Sequence, residues 1–116
     1  MVLEIENSGN RYRGRLEIIR DILLVVKNRK KTKKTRVMYG ANLSYKLLTE
    51  YLGVILSAGL LEYDGESYYT ITDRGKKFLE LCQDYEEKRL DLERRSNSLK
   101  NGRENLKKML EPQKTA

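Results

Sequence analysis

The sequence predicts a mainly α-helical domain that contains one small β-hairpin and is followed by a long C-terminal helix. Apolar residues recur at helical spacing along Arg11–Asn28 and again between residues 47 and 56. Asp64-Gly65 is a two-residue turn signal between two short segments of strand-forming residues. Thr72–Glu111 holds no proline, and Pro112 ends this last predicted helix.

Residues 35–61 contain two closely spaced helices. Gly40-Ala41-Asn42 supplies the end of the first, because Gly and Asn tolerate the left-handed backbone found at helix ends. Ser44 is expected to accept a backbone N–H bond and begin the second. Two helices joined by so short a turn form a helix-turn-helix, whose second helix can enter a DNA major groove. The candidates for base contact are Asn42, Ser44, Tyr45, Lys46, Thr49 and Glu50.

Residues 60–71 are predicted to form the hairpin, and a hairpin after a helix-turn-helix is the wing of a winged helix. Its tip carries Asp64 and Glu66. Their charges would meet DNA phosphates unfavourably, so the tip is not expected to insert deeply into a minor groove. Tyr68 can stack on or hydrogen-bond to a ligand, but a packing role is the simpler interpretation.

The segment Lys27–Arg36 holds seven basic residues, no acidic residue and no apolar one. Burying ammonium groups is costly, so a surface loop is predicted, with Thr35 as the N-cap of the following helix. A flexible solvated loop would explain this composition, but the charge lies beside the candidate reading helix and can follow a phosphate backbone. The candidates for phosphate contact are Arg29, Lys30, Lys31, Lys33, Lys34 and Arg36. Solvated side chains, with phosphate contact as the alternative, are expected at Arg11, Arg13 and Arg15.

The long C-terminal helix cannot be covered by one small domain. Large apolar residues recur every seven positions along it, as in one row of a coiled-coil seam. The second row is mostly polar, so a thin two-helix contact is expected, with parallel and antiparallel pairing both open. The alternative is that the helix folds back or frays beyond Asn97. The candidate dimerisation residues are Tyr85, Leu92, Leu99, Leu106 and Leu110.

These elements divide the chain into three parts. Residues 1–10 are an N-terminal extension, either a short strand or disordered. Residues 11–81 form the winged helix-turn-helix domain. Residues 82–116 continue the long helix as a dimerisation coiled coil.

The composition limits the classes of function. A net charge of +7 over 116 residues favours an anionic partner, nucleic acid before membrane. Cys82 is the only cysteine and histidine is absent, which excludes an internal disulfide and the Cys/His zinc sites and removes the commonest general base. With no catalytic cluster, cofactor motif or evident small-molecule site, an enzyme is not predicted. No segment is apolar enough to span a bilayer and none resembles a signal peptide, so a cytoplasmic location is expected.

Several short motifs carry a family resemblance. TRVMYGANLSY (35–45), Tyr51-Leu52, AGLL (58–61) and TITDRG (70–75) resemble archaeal winged-helix DNA-binding proteins, over about residues 15–81. With its long last helix, the chain resembles the small, about ten-kilodalton archaeal chromatin proteins that dimerise through an antiparallel coiled coil. The resemblance implies a homodimer that binds double-stranded DNA, with the recognition-helix role on Ser44, Tyr45, Lys46, Thr49 and Glu50. The acidic wing tip, the first ten residues and the Gly102 region depart from the pattern.

The leading hypothesis is therefore a homodimeric, nucleoid-associated protein that binds double-stranded DNA, in archaeal chromatin or in transcription regulation. The outward face of the second helix has no Arg, Asn or Gln, the usual bidentate base readers, so weak to modest sequence specificity is expected. The alternative is a winged-helix protein–protein interaction module without direct DNA binding. The acidic wing and the polar helix face fit that alternative, and fold alone does not fix function.

Overall fold

The computed structural model describes residues 5–6 and 12–113. The elements in these ranges are β1 (Ile5–Glu6), β2 (Tyr12–Arg13), α1 (Arg15–Arg29), β3 (Lys31–Lys33), α2 (Lys34–Gly40), α3 (Tyr45–Ser57), β4 (Leu61–Tyr63), β5 (Tyr68–Ile71) and α4 (Asp73–Met109). The prediction of a mainly α winged helix-turn-helix followed by a long C-terminal helix is confirmed.

The core lies between α1 and the helix-turn-helix. On α1, Ile22, Leu23 and Val26 are fully buried, and on α3 so are Leu48 and Ile55. Val37 of α2 is fully buried as well. Fully burying an aliphatic side chain of this size contributes about 1.5–3 kcal/mol, so these residues stabilise the three-helix arrangement.

The first helix begins later than predicted. α1 starts at Arg15, and Tyr12–Arg13 form the strand β2, which pairs antiparallel with β1. The rest of the predicted N-terminal extension, residues 1–4 and 7–10, lies outside the described residues.

The turn between α2 and α3 follows the local signals in the sequence. α2 ends at Gly40, and Asn42 takes the left-handed backbone with a φ of 56°. Ser44 is the N-cap of α3, and its Oγ accepts the Leu47 N–H at 3.1 Å. The predicted helix end and the predicted Ser44 cap are confirmed.

The wing belongs to a three-stranded antiparallel sheet in the order β3-β5-β4. β4 pairs with β5 so that Leu61 lies opposite Ile71 and Tyr63 opposite Tyr69. The predicted two-residue turn is wrong, because the strands are joined by the four residues 64–67. The carboxylate of Asp64 explains the longer loop, since its Oδ1 accepts three successive backbone N–H groups from residues 66–68.

A compact set of backbone contacts joins the end of α3 to the start of α4. Thr72 Oγ1 donates to the Gly59 carbonyl at 2.6 Å and accepts the Gly75 N–H at 3.0 Å, so Thr72 is the N-terminal cap of α4. Arg74 Nε donates to the Ala58 carbonyl at 3.0 Å. A Cβ on Gly75 would overlap the Leu60 carbonyl oxygen. The AGLL and TITDRG motifs therefore pack against each other, and we call this contact between the end of α3 and the start of α4 the α3–α4 joint.

The chain divides into two compact units, with the boundary between Cys82 and Gln83. In the first unit Leu79 is buried and Phe78 packs against the core. In the second unit, every described residue from 87 onward is exposed. Among the helices of the described residues, none combines the length and the apolar character that crossing a bilayer requires.

Candidate nucleic-acid interface

One face of α3 is buried and the other is open to solvent. Leu48, Tyr51, Leu52 and Ile55 are buried, while Tyr45 is 60% exposed. The six residues singled out from the sequence for base contact are all exposed; they are Asn42, Ser44, Tyr45, Lys46, Thr49 and Glu50. Since they lie in the first half of α3 and the turn before it, they form one continuous polar surface.

The surface loop predicted at Lys27–Arg36 is wrong. α1 extends to Arg29, the chain turns at Lys30 with a φ of 69°, and β3 follows. α2 then begins at Lys34, so the predicted N-cap Thr35 lies inside the helix. Apart from the turn at Lys30, the basic segment is therefore held in helix and strand.

Strand alternation explains how so charged a segment enters a sheet. In β3 the side chain of Thr32 is buried, with 4% of its surface exposed, whereas Lys31 and Lys33 on either side are exposed. Thr32 lies opposite Tyr69 of β5, and the two lysines lie opposite Thr70 and Tyr68. Because Thr32 points inward, the side chains of Lys31 and Lys33 both lie on the outer face of the sheet.

These outward side chains line a cleft of about 360 Å³. Tyr68 forms part of it, and its ring centroid lies 4.6 Å from Lys31 Nζ and 5.7 Å from Lys33 Nζ. Both distances suit cation–π attraction. No carboxylate lines the cleft, whose residues are Arg29, Lys31, Thr32, Lys33, Thr35, Arg36 and Tyr68.

The cations of residues 27–36 have no carboxylate within ion-pair distance among the described residues. Several cations of α4 differ, since Lys88 pairs with Asp84 at 3.1 Å and Arg95 pairs with Asp91 at 3.2 Å. No close ion pair therefore neutralises these cations, and the wing-tip carboxylate of Asp64 interacts with Lys31 only at longer range. The segment can attract an anion.

Lys34 is set apart from the other lysines of this segment. Its Nζ donates to Thr49 Oγ1 at 2.7 Å and lies 4.0 Å from the centroid of the Tyr45 ring. The ammonium group of an α2 residue therefore lies on the exposed face of α3. The sequence gives no local signal for this contact, because Thr49 is fifteen positions further along the chain.

The wing tip is acidic and internally bonded. The backbone N–H groups of Glu66, Tyr68 and Ser67, which donate to its carboxylate, hold the pKa of Asp64 below its usual range. This loop contact is therefore present at neutral pH and is lost as the pH falls through the lowered pKa. Because Asp64 bonds to its own backbone and Glu66 is exposed, the tip offers negative charge and no cation.

Arg13 has a role that the sequence analysis missed. Its guanidinium donates to the carbonyls of Ala41 and Asn42, at 2.8 and 3.0 Å, and to the Asp21 carboxylate at 2.9 Å. The expectation of a solvated or phosphate-contacting side chain is wrong for this residue. Arg13 instead ties the strand β2 and the helix α1 to the turn that precedes α3.

With this geometry in place, the comparisons with known proteins identify the class. The pattern of the winged helix-turn-helix family matches residues 12–90. The chain therefore belongs to the winged helix-turn-helix family.

Two solved structures share the fold. The chain superposes on Sso10a-2, a DNA-binding protein from Sulfolobus solfataricus, with a TM-score of 0.59 and 27% identity, over 87% of this chain and all of that one. Ligand-free NadR gives a TM-score of 0.53 at 18% identity, over 82% of this chain and 74% of that one, and shows the fold alone. The resemblance to archaeal winged-helix proteins is confirmed.

Two relatives come from the archaeon Methanocaldococcus jannaschii, and both are uncharacterised proteins. One is 38% identical over 72 residues, which is 62% of this chain and 33% of the relative. The other is 34% identical over 73 residues, which is 62% of this chain and 73% of the relative. The match to the first relative thus spans only about a third of that protein's length.

Proposed function

We propose that this protein binds double-stranded DNA as a homodimer, with weak to modest sequence specificity, in archaeal chromatin or in transcription regulation. The observation that carries the proposal is the group of unpaired cations beside the exposed face of α3. Similarity to Sso10a-2, a DNA-binding protein, supports it. The role requires no catalysis, so a non-enzymatic protein is proposed.

Two surfaces would contact the duplex in different ways. The first half of α3 would enter the major groove, where its polar side chains meet base edges. The cations at Arg29, Lys30, Lys31, Lys33 and Arg36 would neutralise phosphates and release counterions. Phosphate contacts give affinity and position without sequence information, and this accounts for the proposed weak specificity.

Self-association would follow from the second unit. The side chains Leu92, Leu99 and Leu106 are 68, 76 and 70% exposed, and they recur every seven residues. Pairing two such rows would remove them from water, at about 1.5–3 kcal/mol for each leucine fully buried. The proposed dimerisation residues are Tyr85, Leu92, Leu99, Leu106 and Leu110. In such a dimer two linked weak sites gain affinity through effective concentration.

A salt titration tests DNA binding. Affinity for a duplex should fall with salt, with a log–log slope of about −0.9 per phosphate contacted. Replacing Lys31 and Lys33 by Glu should weaken binding and flatten that slope. The matched control replaces Lys76 and Lys77 by Glu, which changes the net charge equally but outside the cleft, and it should leave the slope unchanged.

Circular dichroism would show that both double variants keep their helices. Equal loss of affinity in the two variants would contradict the assignment of the phosphate surface. Failure of the unmodified protein to bind any duplex at low salt would instead favour the protein–protein interaction module, for which the acidic wing tip is suited.

A further inference from the structure

The exposed face of α3 has a lysine that does not belong to α3. Within the helix this face offers Tyr45, Lys46, Thr49 and Glu50, and it lacks the Arg, Asn or Gln side chains that usually read bases. The ammonium of Lys34, the first residue of α2, lies against this face. The surface that would meet base edges is thus assembled from two helices.

Two contacts fix the position of this ammonium group. The Thr49 hydroxyl donates its proton to the Tyr45 carbonyl at 2.8 Å, so its oxygen can act only as an acceptor toward Lys34 Nζ at 2.7 Å. The Tyr45 ring lies 4.0 Å away and adds cation–π attraction. A lysine side chain loses about 1.5–2 kcal/mol of rotamer entropy when it is ordered, and these contacts offset that loss before any ligand binds.

The hydrogen-bond donors of Lys34 that are not used within the protein suit a base edge that carries several acceptors. An ammonium group has three donors and no acceptor, and one donor is used on Thr49 Oγ1. In the major groove only guanine presents two acceptors side by side, O6 and N7. A fixed ammonium with two free N–H groups matches that edge.

We propose that Lys34 is a specificity-determining residue that binds the O6 and N7 of guanine in the major groove. The inference rests on the proposed function, and it separates Lys34 from the phosphate-binding set. Lys31 and Lys33 differ from it because their ammonium groups lie over the Tyr68 ring in the cleft on β3, whereas the Lys34 ammonium is bonded to Thr49 of α3. Thr49 is the positioning residue that holds Lys34 on the reading face.

Selection from a library of random-sequence duplexes tests this assignment. The unmodified protein should enrich guanine at one position in each bound site. Lys34→Met should reduce that preference about fivefold to tenfold, the lower part of the range for a good base contact, with little change in salt slope. The matched control Lys31→Met should weaken binding to all sequences alike and reduce the slope by about 0.9.

Two further probes make the result specific. Thr49→Val keeps the charge of Lys34 but removes its acceptor, so it should lower the guanine preference without altering the salt slope. Replacing the selected guanine by a deaza analogue that lacks N7 should weaken binding of the unmodified protein and leave Lys34→Met unaffected. Circular dichroism would confirm that each variant is folded.

Several results would overturn the inference while leaving DNA binding intact. One is a Lys34→Met variant that behaves like Lys31→Met, with a reduced slope and an unchanged base preference. Another is binding by the unmodified protein without any enrichment of guanine. Absence of duplex binding by the unmodified protein would instead overturn the proposed function itself, so the two failures are distinguishable.

Discussion

Arg13 shows how one side chain can define the geometry of a binding motif. The turn between α2 and α3 has two carbonyls, on Ala41 and Asn42, that point away from either helix ladder, and the planar guanidinium reaches both of them while pairing with Asp21. Arg13 is about a fifth exposed, so solvent replaces these bonds poorly. The orientation of α3 therefore depends on a residue far outside the helix-turn-helix.

Arg13→Lys should lower the free energy of unfolding by about 1–3 kcal/mol, because a single ammonium cannot replace a guanidinium that serves two carbonyls and a carboxylate. Urea denaturation measures the change. The control is Arg15→Lys, at an exposed position on α1, and it should alter stability by less than about 0.5 kcal/mol. Equal effects at the two positions would show that the fork geometry is unimportant.

The sequence predicts a side-chain contact when the two partners are close along the chain, but not when they are far apart. The Ser44 and Thr72 caps were predictable because each bonds to a backbone N–H three residues away. The bonds from Arg13 and Lys34 were not, because their partners lie 28 and 15 positions along the chain. Only the packing of α1, α2 and α3 brings those atoms together.

Among the elements, β3 was the hardest to predict. Its composition, Lys-Thr-Lys, indicates a solvated loop when charge alone is considered. Its alternation of exposed, buried and exposed residues is that of a strand, but three residues are too few for the period to be recognised. The wing was predictable because Asp64-Gly65 marks its turn. The length of its loop was not, because it depends on the bonds between the Asp64 carboxylate and the backbone of residues 66–68.

The joint between α3 and α4 gives a prediction about two glycines of the same helix. Gly75→Ala should destabilise the protein by about 1–3 kcal/mol, because the added methyl group overlaps the Leu60 carbonyl oxygen and Ile71. At Gly102 an added Cβ would meet no side chain and no distant backbone atom within 4 Å, so Gly102→Ala should stabilise its helix by about 0.5–1 kcal/mol.

Urea denaturation would report the first change, and thermal loss of helical circular dichroism the second. A Gly75→Ala variant as stable as the unmodified protein would mean that α4 can shift away from Leu60 at little cost, and that this joint is not rigid.

For the molecule as a whole, charge is concentrated in one place. Of the 24 basic residues, seven lie in residues 27–36, and the remaining 17 equal the 17 acidic residues in number. The net charge of +7 is therefore the charge of this one segment. In the second unit, i,i+4 pairs such as Lys88–Asp84 balance cations against carboxylates, so its most distinctive exposed feature is the row of leucines.

The leucine row gives a prediction about assembly. Leu99→Asp should convert the proposed dimer to a monomer and weaken DNA binding, because a carboxylate in the seam would lose its hydration. Sedimentation velocity measures the first effect and a binding titration the second. The control is Asn101→Asp, which adds the same charge about 200° around the helix.

Unchanged sedimentation of Leu99→Asp would exclude this row as the seam. A monomer that still binds DNA as tightly as the parent would show that one domain is sufficient, and that linkage of two sites adds nothing to affinity.

The position of β3 at the margin of its sheet has one more consequence. A marginal strand leaves backbone groups unpaired, and a flat apolar one would recruit strands from other molecules into aggregates. The flanking ammonium groups of Lys31 and Lys33 repel an identical strand that approaches side by side. The residues proposed to grip phosphate would thereby also keep the protein dispersed in the crowded cell, and neutralising them would be expected to favour precipitation.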